Sequence, residues 1–127
     1  YVVPPSIKDN NSFGNLYRYD ALMTTIYDFY NQLIAHGVPK EDARYVLPNA
    51  CETNIVMTMN ARELHHAFSL RCCNRAQWEI RDMFNEIRTL VKIETPVLFE
   101  NVGPSCETTG TCKEGKRSCG KHAEVES

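Results

Sequence analysis

The chain contains 127 residues, of which 43% are hydrophobic and 24% are charged, and its formal net charge is −2. This length can bury a core and fits one domain or the larger part of one. The charge balance argues against a nucleic-acid-binding protein, which normally carries a basic excess, and no apolar run is long enough to cross a membrane.

The chain starts with Tyr rather than Met, and residues 1–5 resemble the middle of a domain, so we expect further protein before them. Six cysteines would suit a disulfide scaffold only in a shorter and less helical secreted protein. Three of the cysteines crowd into the tail, and two others, Cys72 and Cys73, are adjacent. We therefore predict a reduced, cytoplasmic protein.

Residues 1–16 are rich in Pro, Asn, Ser and Gly, which predicts a loop or an extended lead-in. From about Tyr17 apolar residues recur at spacings of three and four, which predicts a helix that Gly37 caps. Pro39 suits the first turn of a second, short helix that ends before Pro48. The apolar stripe of the first helix contains Leu22, Met23, Ile26, Tyr27, Tyr30, Leu33 and Ile34.

Residues 53–59 alternate in polarity and are rich in β-branched and long apolar residues, which predicts a strand. Asn60 then opens a helix, because it can cap the first turn and Glu63 follows three residues later, as in a capping box. The core face of this helix is predicted to contain Leu64, Ala67, Phe68 and Leu70.

Asn74 and Gln77 repeat the same capping pattern and predict the start of a long amphipathic helix, which Pro96 ends. From Gly103 the sequence has no periodicity, and we expect it to be mobile at its end. The stripe of the long helix contains Ala76, Ile80, Met83, Phe84, Ile87, Leu90 and Val91.

Residues 60–80 contain three arginines, two histidines, two asparagines and a glutamine, more than a helix that only covers a core would need. Arg62 and His66 lie one helical turn apart, and Arg71 and Arg75 have the same spacing. Guanidinium groups offer paired donors to phosphates and to carbonyl-bearing rings, so converging arginines suit a phosphorylated nucleotide. The spacing of Arg71 and Arg75 is equally compatible with solvated residues at a helix end.

Two pairs of adjacent residues in this segment have competing interpretations. His65 and His66 point to different faces of a helix, so a hydrogen-bonding role for one and a surface role for the other is favoured over a metal pair. Cys72 or Cys73 could be a nucleophile if nearby arginines lowered its pKa, but buried inert thiols are more common.

The tail offers four soft ligands for zinc, namely Cys106, Cys112, Cys119 and His122. Only the final Cys-x2-His pair has a familiar ligand spacing, so free thiols and a disulfide remain alternatives.

Four motifs in order resemble those of flavin-dependent thymidylate synthases. They are Ala-Arg-Tyr-Val-Leu-Pro at residues 43–48, Asn-Ala-Arg at 60–62, Leu-Arg at 70–71 and Ala-Gln-Trp-Glu-Ile at 76–80. The resemblance covers nearly all of residues 1–100, and the tail resembles an extension found in some bacterial members. It implies an α+β fold, of which residues 1–102 form the helix-dominated C-terminal portion with a short strand of a mostly antiparallel sheet. Residues 103–127 would form a cysteine-bearing tail.

The resemblance also implies a homotetramer whose active sites lie between subunits. The family converts dUMP to dTMP with methylenetetrahydrofolate, NADPH and FAD, and it uses no cysteine nucleophile. By position, Arg71, a catalytic residue, and Arg44 match residues that hold dUMP. The positions matched to FAD contacts are Asn60, Arg62 and His66, together with Arg75, which stands where some members carry a histidine.

The family signature, Arg-His-Arg followed seven residues later by Ser, is absent, and Tyr1 aligns just beyond it. The N-terminal half of the domain would therefore be a partner, and this chain is predicted to supply only part of the active site. Two alternatives are a non-catalytic fragment that keeps an oligomerisation fold and a zinc-stabilised helical interaction module.

Overall fold

The computed structural model describes residues 1–10 and 12–124 and divides the chain into two compact units, Tyr1–Val56 and Met57–Ser127. Helices dominate both units, which confirms the predicted helix-rich α+β class. In the first unit the helices are α1 (Pro5–Asp9), α2 (Asn15–Ala35) and α3 (Lys40–Ala43), with 3-10 turns at Ser12–Gly14 and Arg44–Val46. In the second unit the elements are α4 (Ala61–Arg71), α5 (Trp78–Glu94), α6 (Pro96–Phe99), α7 (Ser105–Thr109), β1 (Thr111–Cys112), a 3-10 turn (Gly115–Arg117) and β2 (Ala123–Glu124).

Helix α2 ends as the sequence predicts, at a glycine in the left-handed conformation. Gly37 has a φ of 82°, and its N–H donates to the carbonyl of Ile34 at 3.0 Å. The N–H of Val38 donates to the carbonyl of Leu33, also at 3.0 Å. This pair of bonds satisfies carbonyls that the helix end leaves open, and a side chain at position 37 would be strained there.

The prediction of an unstructured lead-in is wrong, because α1 and a 3-10 turn form within residues 1–16. Pro5 occupies the first position of α1, where its missing N–H costs nothing. The backbone before α1 is also tied down: Val2 donates to the carbonyl of Ala50 at 2.8 Å, and the Tyr19 hydroxyl donates to the carbonyl of Val2 at 2.9 Å.

The predicted strand at residues 53–59 does not form, and the segment has no regular secondary structure. A strand needs a neighbour to satisfy its backbone groups, and the described part of the chain offers this segment none. Ile55 and Val56 are 73% and 99% exposed. The strand pairing that is present lies elsewhere, between β1 and β2, and it is parallel rather than antiparallel.

Three phenylalanines from three helices build the core of the second unit. Phe68 of α4 is fully buried and meets Phe84 of α5 and Phe99 of α6 edge to face, with ring centroids 6.3 and 6.1 Å apart. Leu64 and Ala67 pack against this cluster as predicted. Leu70 is instead 51% exposed, which corrects its assignment to the core face, and three residues of the predicted apolar stripes are exposed as well: Leu22, Met83 and Leu90.

Helix α5 begins at Trp78, and its cap is Gln77, whose side-chain oxygen accepts from the N–H of Ile80 at 3.0 Å. The predicted capping box, with Asn74 as the cap and Gln77 as its partner three residues later, is wrong, because Gln77 is itself the cap. Residues 73–76 form a turn closed by the N–H of Ala76 on the carbonyl of Cys73 at 2.9 Å, so no helix follows Asn74 directly. Helix α5 ends before Pro96, as predicted.

The tail is ordered through most of its length, unlike the aperiodic sequence suggested. Val102, Gly103 and Pro104 are buried, and Glu107 pairs with Arg88 at 3.3 Å and with Lys121 at 3.0 Å. A Cβ on Gly103 would lie 2.8 Å from Nη2 of Arg88, so the glycine lets this ion pair approach the backbone. The predicted mobility at the very end concerns residues 125–127, which lie outside the described residues.

Among the described residues, no helix is both long and apolar enough to cross a membrane.

Candidate functional site

Helix α4 carries most of the candidate residues, and its start is set by its first cap. Asn60 has an extended backbone, and its Oδ1 accepts from the N–H of Glu63 at 2.9 Å. The predicted capping by Asn60 is therefore confirmed. Because Phe68 fixes which face of α4 is buried, the packing also fixes which side chains of the helix point outward.

The structure brings Arg62 and His66 together on one exposed face of α4, four residues apart. Arg71, the last residue of α4, is also exposed. It lies nine residues after Arg62, which places it about half a turn around the helix and roughly 13 Å along its axis. Arg62 and His66 therefore lie on a different face of α4 from Arg71.

Arg75 follows α4 in the turn of residues 73–76, and its side chain is exposed. Arg44 belongs to the first unit, where it begins the 3-10 turn after α3 and is exposed as well. Asn60 stands at the opposite end of α4 from Arg71. Five of the six candidates thus lie within or next to α4.

The arginines of the chain divide into those with internal partners and those without. Arg81 pairs with Asp82 at 3.5 Å, and Arg88 pairs with Glu107. Within residues 1–10 and 12–124, no hydrogen bond or ion pair engages the guanidinium groups of the candidates. Those candidates, all of them exposed residues, are Arg44, Arg62, Arg71 and Arg75.

The two adjacent histidines have the separate roles that the sequence favoured. Nε2 of His65 lies 2.8 Å from the carbonyl oxygen of Leu98, and its ring stacks on Phe99 with centroids 5.1 Å apart. These contacts fasten α4 to α6. His66 is exposed, and its side chain is in reach of a ligand.

The two adjacent cysteines, Cys72 and Cys73, also have different surroundings. Cys72 is buried in the core beside Phe68, and burial raises the pKa of its thiol, which argues against a nucleophilic role. Cys73 points the other way, and its Sγ accepts from the N–H of Arg75 at 3.5 Å. All six cysteines are free thiols.

Cys73 lines a small cavity together with Cys106, Cys112 and Cys119 of the tail. The sequence singled out the three tail cysteines but not Cys73, since adjacent cysteines gave no sign of which one faces the tail. His122 is not part of the cavity lining. Its Nε2 is buried and has no hydrogen-bond partner in the described part of the chain. No three His, Cys, Asp or Glu side chains among the described residues are gathered closely enough to hold a metal ion.

Comparison with known proteins gives consistent matches along the chain. A family model described as thymidylate synthase complementing protein matches residues 1–97. A flavin-dependent thymidylate synthase of Geobacter sulfurreducens is 51% identical over 124 residues, which are 98% of this chain and 52% of that protein. The protein of the same name from Clostridium tetani is 44% identical over 142 residues, 98% of this chain and 55% of that protein.

A third flavin-dependent thymidylate synthase, from Sulfolobus acidocaldarius, is 48% identical over 105 residues, 83% of this chain and 39% of that protein. The chain therefore spans about half the length of the first two relatives and less of the third.

Proposed function

The chain belongs to the family described as thymidylate synthase complementing protein, and from this premise we propose that it supplies part of the active site of a flavin-dependent thymidylate synthase. The proposed reaction is the reductive methylation of dUMP to dTMP, with methylenetetrahydrofolate as one-carbon donor and NADPH as reductant. The observation that carries the proposal is the family match over residues 1–97, which includes all six candidate residues.

The exposed arginines fit anionic ligands of this kind. Guanidinium groups of exposed arginines without internal partners can give both of their donor edges to a phosphate or to a pyrimidine carbonyl. We propose that Arg71 and Arg44 hold dUMP, and that Arg71 acts at the reacting ring. Arg71 is the last residue of α4, where the helix dipole places partial negative charge that repels a phosphate. Its guanidinium group would neutralise both this partial charge and the charge of the ligand.

We propose that FAD, which supplies the redox chemistry when bound, lies against the other face of α4. Arg62 and His66 share that face, Asn60 caps the helix beside them, and Arg75 follows the helix. The core packing of Phe68 fixes the orientation of the α4 backbone from which Arg62 and His66 project. The role of the candidate residues in the proposed mechanism is to bind and orient two anionic ligands, so that catalysis rests on positioning and electrostatic stabilisation rather than on a cysteine.

We propose that residues 1–102 are one share of the synthase domain and that residues 103–127 form the tail. The rest of the domain would be a partner, supported by the chain's spanning about half of its relatives. The unpaired segment at 53–59 has the alternating polarity of a strand, and two of its apolar residues, Ile55 and Val56, are exposed. This segment would pair with a strand of the remaining domain, whose apolar side chains would cover it.

A homotetramer is the proposed assembly, and the large apolar surface supports association. Val97 on α6 is 93% exposed, and Ile93 on α5 is 70% exposed. Met57, Thr58, Met59, Leu64, Phe84 and Ile87 line an apolar groove of about 370 Å³ in the second unit. An apolar groove is one kind of surface that a partner chain can cover. The six free thiols fit the proposed location in the reducing cytoplasm.

The test joins the chain to the portion of the Geobacter sulfurreducens relative that it does not cover. We expect the resulting protein to be yellow from bound flavin and to release tritium from uracil-ring-labelled dUMP when the folate and NADPH are present. Arg71→Ala should raise the dissociation constant of dUMP by at least about tenfold, because a charge-assisted pair is worth roughly 1.5–3 kcal/mol.

The matched control is Arg81→Ala, which removes the same charge from the same unit but from an arginine that pairs with Asp82. It should leave dUMP affinity within about twofold. Unchanged affinity in Arg71→Ala contradicts the assigned role of Arg71. A colourless protein that binds no dUMP would instead favour a fragment that serves oligomerisation only.

A further inference from the structure

Cys73, Cys106, Cys112 and Cys119 come from two distant parts of the chain and line one cavity. Cys73 lies in the turn after α4, and the other three belong to α7, β1 and the segment after the last 3-10 turn. Their convergence therefore depends on the packing of the tail against the rest of the second unit. Two further cysteines lie elsewhere, Cys72 in the core and Cys51 in the first unit.

The size of the cavity limits what it can hold. Its volume is about 20 Å³, slightly more than the ~10–15 Å³ that a single water molecule requires. An organic ligand is too large for this space. A single ion fits it, and sulfur ligands in a group of four select zinc or iron over the hard cations that oxygen ligands bind.

The sulfurs also have the outer contacts that accompany thiolate ligands. Nδ2 of Asn74 donates to Sγ of Cys119 at 3.6 Å, and the N–H of Arg75 donates to Sγ of Cys73. N–H groups directed at sulfur stabilise the thiolate and orient it.

The charges around the cavity suit a dianionic centre. Four thiolates and a divalent ion carry a net charge of −2, and Arg75 and Lys121 both line the cavity. Glu107 lines it too, but its carboxylate is engaged by Lys121 and Arg88. Glu114 is the remaining acidic residue of the lining.

We propose that Cys73, Cys106, Cys112 and Cys119 bind a single zinc ion that fastens the tail to the turn carrying Arg75. In the described part of the chain the four sulfurs are not close enough together to share one ion. Each sulfur is carried by a single rotatable bond, χ1, and can move between staggered rotamers when the ion binds. On binding, the four thiols release their protons to solvent and form four Zn–S bonds of about 2.3 Å. With four protein ligands the site is closed and structural rather than catalytic.

This ligand set differs from the one that the sequence favoured, which included His122. Cys73 takes the fourth position, and the buried Nε2 of His122 stays outside the cavity lining. Variants can therefore distinguish the two ligand sets: Cys73→Ser tests the set proposed here, and His122→Ala tests the set that the sequence favoured.

The test uses the whole 127-residue chain, purified under reducing conditions. Metal analysis should give one zinc per chain, and X-ray absorption should give four sulfur neighbours at about 2.3 Å. After chelation, titration with Co²⁺ should give thiolate charge-transfer bands and the ligand-field bands of a tetrahedral site. Cys73→Ser should weaken Co²⁺ binding by more than about a hundredfold, since even outer contacts of a metal site are worth 10–100-fold.

The same loss is expected for serine at positions 106, 112 and 119. Cys51→Ser is the matched control, because Cys51 lies in the first unit near Tyr27, and it should bind Co²⁺ as the unsubstituted chain does. His122→Ala should also bind normally.

Wild-type affinity in Cys73→Ser, or loss of binding in His122→Ala, overturns the proposed ligand set. A red protein containing iron, or an intact mass lower by two hydrogens per disulfide, overturns the zinc site itself. Should a serine variant fail to fold, the sulfur count from X-ray absorption of the unsubstituted chain still decides.

Discussion

Asn60 shows how one residue can have a structural role and a proposed ligand role at once. Its Oδ1 caps α4 through the N–H of Glu63, a contact that uses only one end of the side-chain amide. The amide nitrogen is the group that the proposed FAD contact would use. Stability and flavin affinity therefore report on different atoms of the same side chain, and substitutions can separate them.

We predict that Asn60→Ala lowers the free energy of unfolding by about 1 kcal/mol, because the first turn of α4 loses its cap. Asn60→Ser should stay within a few tenths of a kcal/mol, since serine caps equally well. If the amide contacts FAD, both variants of the assembled protein should bind flavin more weakly. Urea denaturation and flavin titration measure the two effects, and normal flavin affinity in Asn60→Ser would limit Asn60 to capping.

At the scale of single elements, α4 is held by one face and presents the other. Phe68 is fully buried between Phe84 and Phe99, and His65 adds a hydrogen bond to the backbone of α6. Leu70, two residues further along, is 51% exposed. The helix is therefore anchored mainly through Phe68, and the orientation of the candidate side chains depends on that anchor.

Phe68→Ala should destabilise the second unit by roughly 3–5 kcal/mol, because it removes a buried ring and leaves a cavity. Leu70→Ala on the same helix should cost less than about 0.5 kcal/mol, because half of that side chain is already in water. Chemical denaturation followed by circular dichroism measures both values. Equal losses for the two variants would mean that α4 is not packed as described.

At the scale of the whole molecule, the tail is attached to the second unit by charge as well as by packing. Glu107 on α7 reaches Lys121 near β2 and Arg88 on α5. The hydrogen bond from Lys121, with further help from Arg88 and against some desolvation, lowers the pKa of Glu107. The same pair raises the pKa of Lys121.

The direction of these shifts sets the pH range in which the contact stabilises the fold. Since the pKa of Glu107 is lower in the folded chain, its stabilisation is present above the pKa of the unfolded chain and is lost as pH falls through the folded value. Because the pKa of Lys121 is raised in the folded chain, its contribution to stability is fully present below the pKa of lysine in the unfolded chain. That contribution disappears as pH rises through the folded value.

We therefore predict that Glu107→Gln is less stable than the unsubstituted chain at neutral pH and that the difference shrinks toward zero in acid. Urea denaturation in metal-free buffer between neutral and acidic pH measures it. Glu86→Gln is the control, because Glu86 is exposed on α5 and forms no ion pair among the described residues. A difference for Glu107→Gln that persists in acid would show that the carboxylate charge is not responsible.

The sequence alone determined the long helices, because periodicity, caps and terminating residues are local properties. Gly37, Asn60 and Pro96 delimit helices where they were expected to, whereas α5 starts three residues later than predicted, because Gln77 rather than Asn74 caps it. The roles of the arginines in the proposed site come from the resemblance of the motifs around them and stay a prediction. The strand predicted at 53–59 does not form, because a strand needs a second strand for its backbone hydrogen bonds. That second strand is not a local property, so the periodicity of the segment does not reveal whether it exists.

Only the tertiary structure decided which side of α4 faces the core, and with it that Cys72 is buried while Cys73 meets the tail. It also showed the tail to be ordered, because ion pairs and buried backbone, rather than an apolar repeat, hold it in place. Contacts between residues distant in sequence leave no local pattern. The gathering of four cysteines around one cavity is such a contact, and packing alone produces it.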